Sequence, residues 1–191
     1  MKIWQKNIEV NKGIETFTVG KDRELDLQMA AFDVLGSLAH VEMLASINLL
    51  TKAELAEVQV ALKEIYQEIL AGKFSISESV EDVHSQVEWL LTERIGEAGK
   101  KIHSGRSRND QVLVDLKLYF RSCIQEMVEN TTSLFHQLIT LSNAHKDKLL
   151  PGYTHLQIAM PSSFGLWFGA YAEALADDMD MLATAFNFTN Q

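Results

Sequence analysis

A polar stretch near the middle of the chain carries the side chains best suited to chemistry. It runs from His103 to Gln111 and reads His-Ser-Gly-Arg-Ser-Arg-Asn-Asp-Gln. Arg106 and Arg108 present planar, permanently charged guanidiniums that can bind a carboxylate through two hydrogen bonds. Asn109 adds donor and acceptor groups beside them. The stretch therefore predicts a site for an anionic ligand.

The same stretch also has the features of a helix start. Ser107 followed by Asp110 resembles a capping box, in which each side chain satisfies a backbone amide of the other residue. The N-terminus of a helix attracts anions through its free amide groups, so capping and ligand binding can coexist. Composition alone leaves the two interpretations equally favoured.

Two further stretches contain a histidine among polar residues. His155 lies beside Thr154 in Pro-Gly-Tyr-Thr-His-Leu-Gln, and His84 ends the string Glu-Asp-Val-His. An imidazole can gain or lose a proton near neutral pH, so each histidine is a candidate acid or base. The structural alternatives are a loop histidine bonded to the backbone at 155 and a satisfied histidine at a helix edge at 84.

The acidic and histidine side chains of this region also raise the question of a metal centre. The candidates are Glu81, Asp82, His84, Glu88 and His103. Their spacings match no closed zinc site, and a metal centre needs a tight, oriented set of ligands. We therefore predict no metal ion here and assign His103 to ordering the loop.

Apolar residues at helical spacing predict that helices position these stretches. Both prolines lie at or beyond residue 151, which favours long helices before that point. One helical pattern extends over 22–50, and a capping box at Thr51 and Glu54 starts the next helix. A third helix, capped by Ser77 or Ser79, ends near Ile95. Residues 1–20 are expected to form an extended or poorly ordered arm, and 96–105 a loop.

The next predicted helix is the longest, beginning between Ser107 and Gln111 and continuing past Leu138. A helix over 109–147 would span ~60 Å and is apolar on more than one face, so it needs partners on more than one side. Residues 162–188 form another helix, rich in glycine and alanine. We predict an all-α protein with a helical N-terminal domain at 1–105 and part of a long-helix bundle at 106–191.

Three strings in the chain resemble known signatures. Ser-Gly-Arg-Ser-Arg-Asn-Asp-Gln-Val at 104–112 resembles the first signature of the argininosuccinate lyases and their delta-crystallin relatives. The segment 81–88 resembles the family's acidic-histidine segment, and 151–157 resembles its second signature. The resemblance covers most of the chain and implies the helical fold of the fumarase/aspartase superfamily.

The resemblance implies a chemistry and roles for individual residues. Argininosuccinate lyases eliminate fumarate from argininosuccinate to give arginine, without a metal or organic cofactor, in arginine biosynthesis. By position in the motifs, His155 is the expected general acid/base, and Arg108, Asn109 and Thr154 are expected to bind substrate. The residues expected to support them are Arg106, Ser107, Asp110, His84 and Gln157.

The sequence also departs from the family pattern. Ile158 and Met160 replace polar residues common after the second signature, and the third signature, which carries the family's proton-abstracting serine, is missing. We therefore expect an amino-terminal part of such an enzyme, inactive and self-associating alone, and homotetrameric when complete. The alternatives are a catalytically silent, crystallin-like protein and a lyase of the same superfamily acting on another succinyl adduct.

Composition excludes several other classes of function. The formal net charge is -9 and no basic stripe is present, which argues against nucleic-acid binding. Cys123 is the only cysteine, so no internal disulfide can form, and its apolar surroundings predict a packed thiol. The sequence contains no run of 18 uncharged apolar residues, so no membrane span is predicted. We expect a cytoplasmic protein.

Overall fold

In the computed structural model, which describes residues 11–190, helices dominate and the predicted all-α class is confirmed. Within that range the chain forms eight α-helices, one 3-10 turn and one two-stranded antiparallel sheet. The elements are α1 Lys12–Val19, α2 Asp22–Asp26, α3 Ala30–Ser46, α4 Lys52–Leu70, α5 Val83–Ile95, α6 Glu97–Lys100, the 3-10 turn Lys101–His103, α7 Arg108–His145, β1 Leu149–Thr154, β2 Gln157–Ser163 and α8 Phe164–Phe188. None of the described helices is both long and apolar enough to cross a lipid bilayer.

The chain divides into two compact units, one ending at Tyr119 and the other beginning at Phe120. The boundary falls inside α7, which is continuous over 38 residues and ~57 Å long at about 1.5 Å per residue. Its start at Arg108 and its passage beyond Leu138 confirm the prediction of the longest helix. The predicted division into domains at 1–105 and 106–191 stays a prediction.

The apolar core of the first unit lies between α3, α4 and α5. Its fully buried side chains include Val34, Val41, Leu44, Val58, Leu62, Ile65, Val83, Val87 and Leu91. The capping box predicted for α4 is present: the Thr51 hydroxyl accepts the Glu54 amide at 3.2 Å, and the Glu54 carboxylate accepts the Thr51 amide at 2.8 Å. Local capping and apolar periodicity together therefore account for α4.

The predicted arm at 1–20 is wrong where the structure describes it. Residues 12–19 form α1, and residues 1–10 lie outside the described range. The Asn11 side chain accepts the Gly13 amide at 2.8 Å and caps this helix, and Gly20, at a φ of +54°, follows its last turn. Asn11 thus starts this helix and Gly20 ends it.

The helix predicted over 22–50 is interrupted after Asp26 and resumes at Ala30. Long-range hydrogen bonds hold the short first segment: the Asp26 carboxylate accepts the Val83 amide at 3.1 Å, and Arg23 donates to the Val80 carbonyl at 2.8 Å. The apolar spacing continues across the break, so the sequence pattern does not reveal it.

The predicted cap of the third helix is also wrong. Asp82 is the N-cap of α5, and its carboxylate accepts the Ser85 amide at 2.8 Å. The hydroxyls of Ser77 and Ser79 are instead 3.0 Å from each other. The loop expected at 96–105 contains α6 and the 3-10 turn, where the buried side chains of Ala98 and Ile102 pack against the core.

The second unit consists of the rest of α7, a β-hairpin and α8. Its helices run antiparallel: Ser142 of α7 donates to the Gly165 carbonyl at 2.7 Å, and the Arg121 guanidinium lies 4.6 Å from the centre of the Phe186 ring. The hairpin, which the sequence analysis did not predict, leads directly into α8. The Ser163 hydroxyl caps that helix by accepting the Leu166 amide at 3.1 Å.

Gly165 and Gly169 offer a matched test of this helix pair. A Cβ on Gly165 would lie 2.5 Å from the Lys146 Cα and 2.8 Å from the Ser142 carbonyl oxygen, both backbone atoms. We expect Gly165→Ala to lower the free energy of unfolding by ~1–3 kcal/mol. Denaturant unfolding of the full-length protein measures the change.

Gly169→Ala is the control for that substitution. A Cβ on Gly169 would lie 3.5 Å from the Ser142 hydroxyl, an ordinary contact. Because alanine is the better helix former, we expect stability to stay constant or rise by ~0.5–1 kcal/mol. Equal losses in both variants would contradict the close approach of α7 and α8 at Gly165.

Candidate active site

The polar stretch before α7 forms the predicted type of helix start. The Ser107 hydroxyl accepts the Asn109 amide at 3.1 Å, and the Asp110 carboxylate accepts the Ser107 amide at 3.4 Å. Gly105, at a φ of +68°, turns the chain into this cap. Ser107, Asn109 and Asp110 are all exposed, so their side chains can reach a ligand at the start of the helix.

Arg108 is held by α5 and its N-cap. Its guanidinium forms an ion pair with Asp82 and donates to the Ser85 hydroxyl at 2.6 Å. Asp82 thus performs two tasks, because its other carboxylate oxygen caps α5. The side chains of Arg108 and Asp82 are both about one-fifth exposed. Arg108, which the sequence predicts to bind a carboxylate, is therefore an oriented guanidinium that already has protein partners.

Arg106 points to α3 instead. Its Nη2 donates to the Ser37 hydroxyl at 3.2 Å, and its Nε is buried without an acceptor among the described residues. Burial lowers the pKa of Arg106, against the opposing charges of Asp33, Asp115 and Glu88. Arg106 therefore contacts α3 and is half-buried.

Beneath the signature lies a buried polar cluster, which consists of Asp33, His84, Gln111 and Asp115. The His84 Nδ1 donates to the Asp33 Oδ1 at 2.8 Å and lies 3.7 Å from the Asp115 Oδ2. The Gln111 side-chain amide donates to the same Asp33 oxygen. These side chains come from α3, α5 and α7, so the cluster joins three helices of the first unit.

Burial and charge shift the titration of this cluster. The pKa of Asp115 is raised from 3.8 to about 8 by burial, then by the neighbouring charge of Asp33 and by a hydrogen bond with that carboxyl group. Burial alone would lower the pKa of His84, but the hydrogen bond and charge of Asp33 raise it. These shifts favour the neutral form of Asp115 and the charged form of His84.

Asp33, His84 and Asp115 also have the donor types of a metal site. One atom from each lies within 4.8 Å of the others. However, His84 uses Nδ1 for Asp33, and the guanidinium of Arg106 acts on both carboxylates. His84 and Arg106 thus already supply positive charge where a metal ion would.

A groove of about 640 Å³ opens between α3 and the first turns of α7. Its lining includes Leu35, His40, Met43, Arg106, Asp110, Gln111, Val114, Asp115 and Leu118. The His40 side chain is 3.0 Å from the Ser104 carbonyl, and burial and the charge of Arg106 lower its pKa. A mostly apolar groove therefore borders the charged signature.

Thr154, His155 and Gln157 lie in the second unit, at the tip of the β-hairpin. Thr154 pairs with Gln157, so His155 and Leu156 form a two-residue loop. Both have positive φ, +49° and +64°, as in a type I′ turn. The left-handed conformation costs roughly 1–2 kcal/mol per residue without glycine. All four residues are exposed, and Leu156 is 98% exposed.

Comparison with known proteins identifies the family. A family model described as Lyase matches residues 3–190. The chain belongs to this Lyase family. It is 63% identical over 190 residues to an argininosuccinate lyase of Bacteroides fragilis and 62% identical to one of Bacteroides thetaiotaomicron. Both alignments cover the whole chain but only 42% and 43% of those proteins, so the chain spans less than half the length of these relatives.

A solved structure of EDDS lyase in complex with formate has the fold of this Lyase-family chain. Its TM-score is 0.73 at 24% identity, and the match covers 95% of this chain and 36% of that one. At this level of identity the likeness concerns the fold alone. The family model and the argininosuccinate lyase relatives, in contrast, confirm the family resemblance found in the sequence motifs over nearly the whole length of the chain.

Several residues of the candidate site were missing from the sequence predictions. Asp33, Ser37 and Asp115 lie on helices, and Asp82 was noted only within the acidic-histidine segment and among the metal ligands that the spacing argued against. The available signal was a charged or hydroxyl residue at a position where helical periodicity expects an apolar one. Asp33 precedes the buried Val34 and lies one turn before Ser37, which is also buried.

Proposed function

We propose that the full-length protein carrying this sequence is an argininosuccinate lyase. The observation that carries the proposal is the 63% identity over 190 residues to a protein of that name. The reaction breaks the carbon–nitrogen bond of argininosuccinate and releases fumarate and arginine. We place it in arginine biosynthesis in the cytoplasm, and it needs no metal or organic cofactor.

Elimination requires two proton movements. A base removes a proton from the carbon next to a carboxylate, the carbon–nitrogen bond breaks, and an acid protonates the departing guanidinium nitrogen. His155 is the proposed acid/base residue in this sequence. Its place in an exposed turn with positive φ supports that role, because strained loop residues occur often at functional sites.

The substrate's carboxylates need fixed cationic and amide donors. We assign this binding to Arg108, Asn109 and Thr154. Asp82 and Ser85 orient the guanidinium of Arg108, which lowers the entropy lost when a carboxylate binds. The supporting residues are Arg106, Ser107, Asp110, His84 and Gln157. His84 supports the site from the buried polar cluster, and the rest flank the binding residues in the two motifs.

We also propose that the full-length protein is a homotetramer whose active sites combine residues of several subunits. The apolar surface of the second unit supports this proposal. Its exposed large side chains include Met127, Leu134, Leu166, Trp167, Tyr171 and Met181. Leaving so many apolar groups in water is costly, at roughly 1.5–3 kcal/mol for a side chain of leucine size.

Turnover by the full-length protein tests the proposed reaction. We expect it to release fumarate, measured by absorbance, from argininosuccinate but not from aspartate or adenylosuccinate. Fumarate from another succinyl adduct only would assign the protein to a different lyase of the superfamily. A folded tetramer with no turnover of any of them would favour the crystallin-like alternative.

A further inference from the structure

The contact between α3 and α7 is polar at its buried centre. Among the described residues of α7, only Gln111 and Asp115 are buried, and they are spaced by one turn. Asp33 and Ser37 have the same spacing on α3 and are fully buried. Gly36 lies between them, where a Cβ would be 3.3 Å from the Asp115 Oδ1. The absence of a side chain there lets the Asp115 carboxyl group reach α3.

If both carboxyl groups are ionised, some of the buried acceptor oxygens of this contact have no hydrogen-bond donor. The Asp33 Oδ1 accepts from His84 and Gln111. The Asp33 Oδ2 and both Asp115 oxygens are buried without a donor from any described residue. Two adjacent buried carboxylates also repel each other. One proton removes both problems, because a protonated carboxyl group donates to its neighbour.

The surrounding charges fit a pair that carries one proton. His84 of α5 and Arg106 of the segment before α7 both face the pair. The negative charge of Asp82, the N-cap of α5, raises the pKa of His84. Burial lowers the pKa of Arg106, and the negative charge of Glu88 on α5 opposes that shift. The one negative charge left on the pair lies between two cationic groups. Because Asp82 and Glu88 also face these two cations, a second negative charge on the pair would add to an excess of negative charge around them.

We propose that Asp33 and Asp115 share one proton and act as positioning residues that hold Arg106 and the first turn of α7 in place for substrate binding. The proposal rests on the proposed function for its kinetic part. The path of action is short: Arg106 donates to Ser37, one turn from Asp33, and Gln111 links Asp33 to the first turns of α7. Loss of the shared proton separates α3 from α7 beneath the signature.

The direction of the pH effect follows from the raised pKa of Asp115. Between its ordinary pKa of 3.8 and about 8, Asp115 holds one proton more in the folded protein than in the unfolded chain. The stability that Asp115 contributes is complete below pH 3.8 and is lost as the pH rises through about 8. The unfolding equilibrium constant should increase by up to about tenfold per pH unit within that window.

The test compares full-length wild-type protein with Asp115→Asn, which keeps the shape and a donor but cannot ionise. We expect the variant to lose this one-proton dependence of stability between pH 5 and 8. Glu126→Gln, which removes an exposed carboxylate from the same helix, should keep the wild-type dependence. The same dependence in Asp115→Asn and wild type would overturn the shared proton.

Two further measurements keep the proposal testable if Asp115→Asn does not fold. Infrared spectra of wild-type protein should show a buried protonated carboxylic acid at pH 7, and its absence would overturn the proposal. Asp33→Asn should lose the same one-proton dependence. Stabilisation of wild type, but not of Asp115→Asn, by Mg²⁺ or Mn²⁺ would instead assign the carboxyl pair to a cation.

Kinetics separate a positioning role from a purely structural one. With argininosuccinate, the wild-type KM should rise above pH 8 by up to about tenfold per pH unit while kcat stays constant. Asp115→Asn should remove this rise, and Asp115→Leu should have a high KM at every pH. A KM unaffected by either substitution would overturn the positioning role. No turnover by wild type would refute the proposed function and leave the stability result standing.

Discussion

Replacing His155 with asparagine in the full-length protein is expected to lower kcat for argininosuccinate by about 10²–10⁴-fold. Asparagine keeps a hydrogen-bonding group of similar reach but cannot exchange a proton near neutral pH. It also tolerates the positive φ of this turn better than most residues, so the hairpin should persist. Fumarate absorbance gives the rate, and KM should change little.

His136→Asn is the matched control for that experiment, because His136 is an exposed histidine on α7 outside the motifs. It should keep the wild-type rate. A near-normal kcat in His155→Asn would show that the acid/base assignment is wrong. A raised KM with retained kcat would instead make His155 a binding residue.

The second large effect is expected for Arg108→Lys, with kcat/KM falling by about 10–100-fold. The guanidinium holds Asp82 and Ser85 through two different nitrogens, and lysine offers one compact charge in place of that fork. Loss of one charge-assisted hydrogen bond to substrate costs roughly 1.5–3 kcal/mol, which corresponds to this range. Steady-state kinetics with argininosuccinate measure the loss.

Arg94→Lys is the control for Arg108→Lys. Arg94 of α5 also pairs with carboxylates, at 2.8 Å from Glu68, but lies outside the motifs. Activity should stay at the wild-type level, and stability should change by less than about 1 kcal/mol because Glu68 is well exposed. Equal kinetics for wild type and Arg108→Lys would remove Arg108 from the binding residues.

The sequence predicts those parts of the fold whose signals are local. The α4 capping box needs only Thr51 and Glu54, and the start of α7 needs only the polar run before it. The break after Asp26 depends on an amide 57 residues away, at Val83, and no local pattern contains that information. Asp82 rather than Ser77 or Ser79 caps α5, and its ion pair with Arg108 is a second contact that the local sequence does not show.

The site shows the same division between local and long-range information. The motif residues Arg106, Arg108 and Asn109 are recognisable as a string, whereas the buried polar cluster exists only after folding. His84 and Asp33, for instance, are 51 residues apart in the chain. From sequence alone, a single acidic residue in a helical pattern is expected to be exposed, and its burial becomes evident only when its partners are known.

The polar contact between α3 and α7 restricts how this protein can change over evolutionary time. An apolar residue at position 33 alone leaves the imidazole of His84 and the side-chain amide of Gln111 without their acceptor. An apolar residue at position 115 alone removes the carboxyl group with which we propose that Asp33 shares a proton. Each of these single substitutions should therefore lower the stability of the protein, although a fully apolar contact could be as stable as the present one. Positions 33, 84, 111 and 115 should therefore covary among descendants of a common ancestor, with intermediate combinations rare.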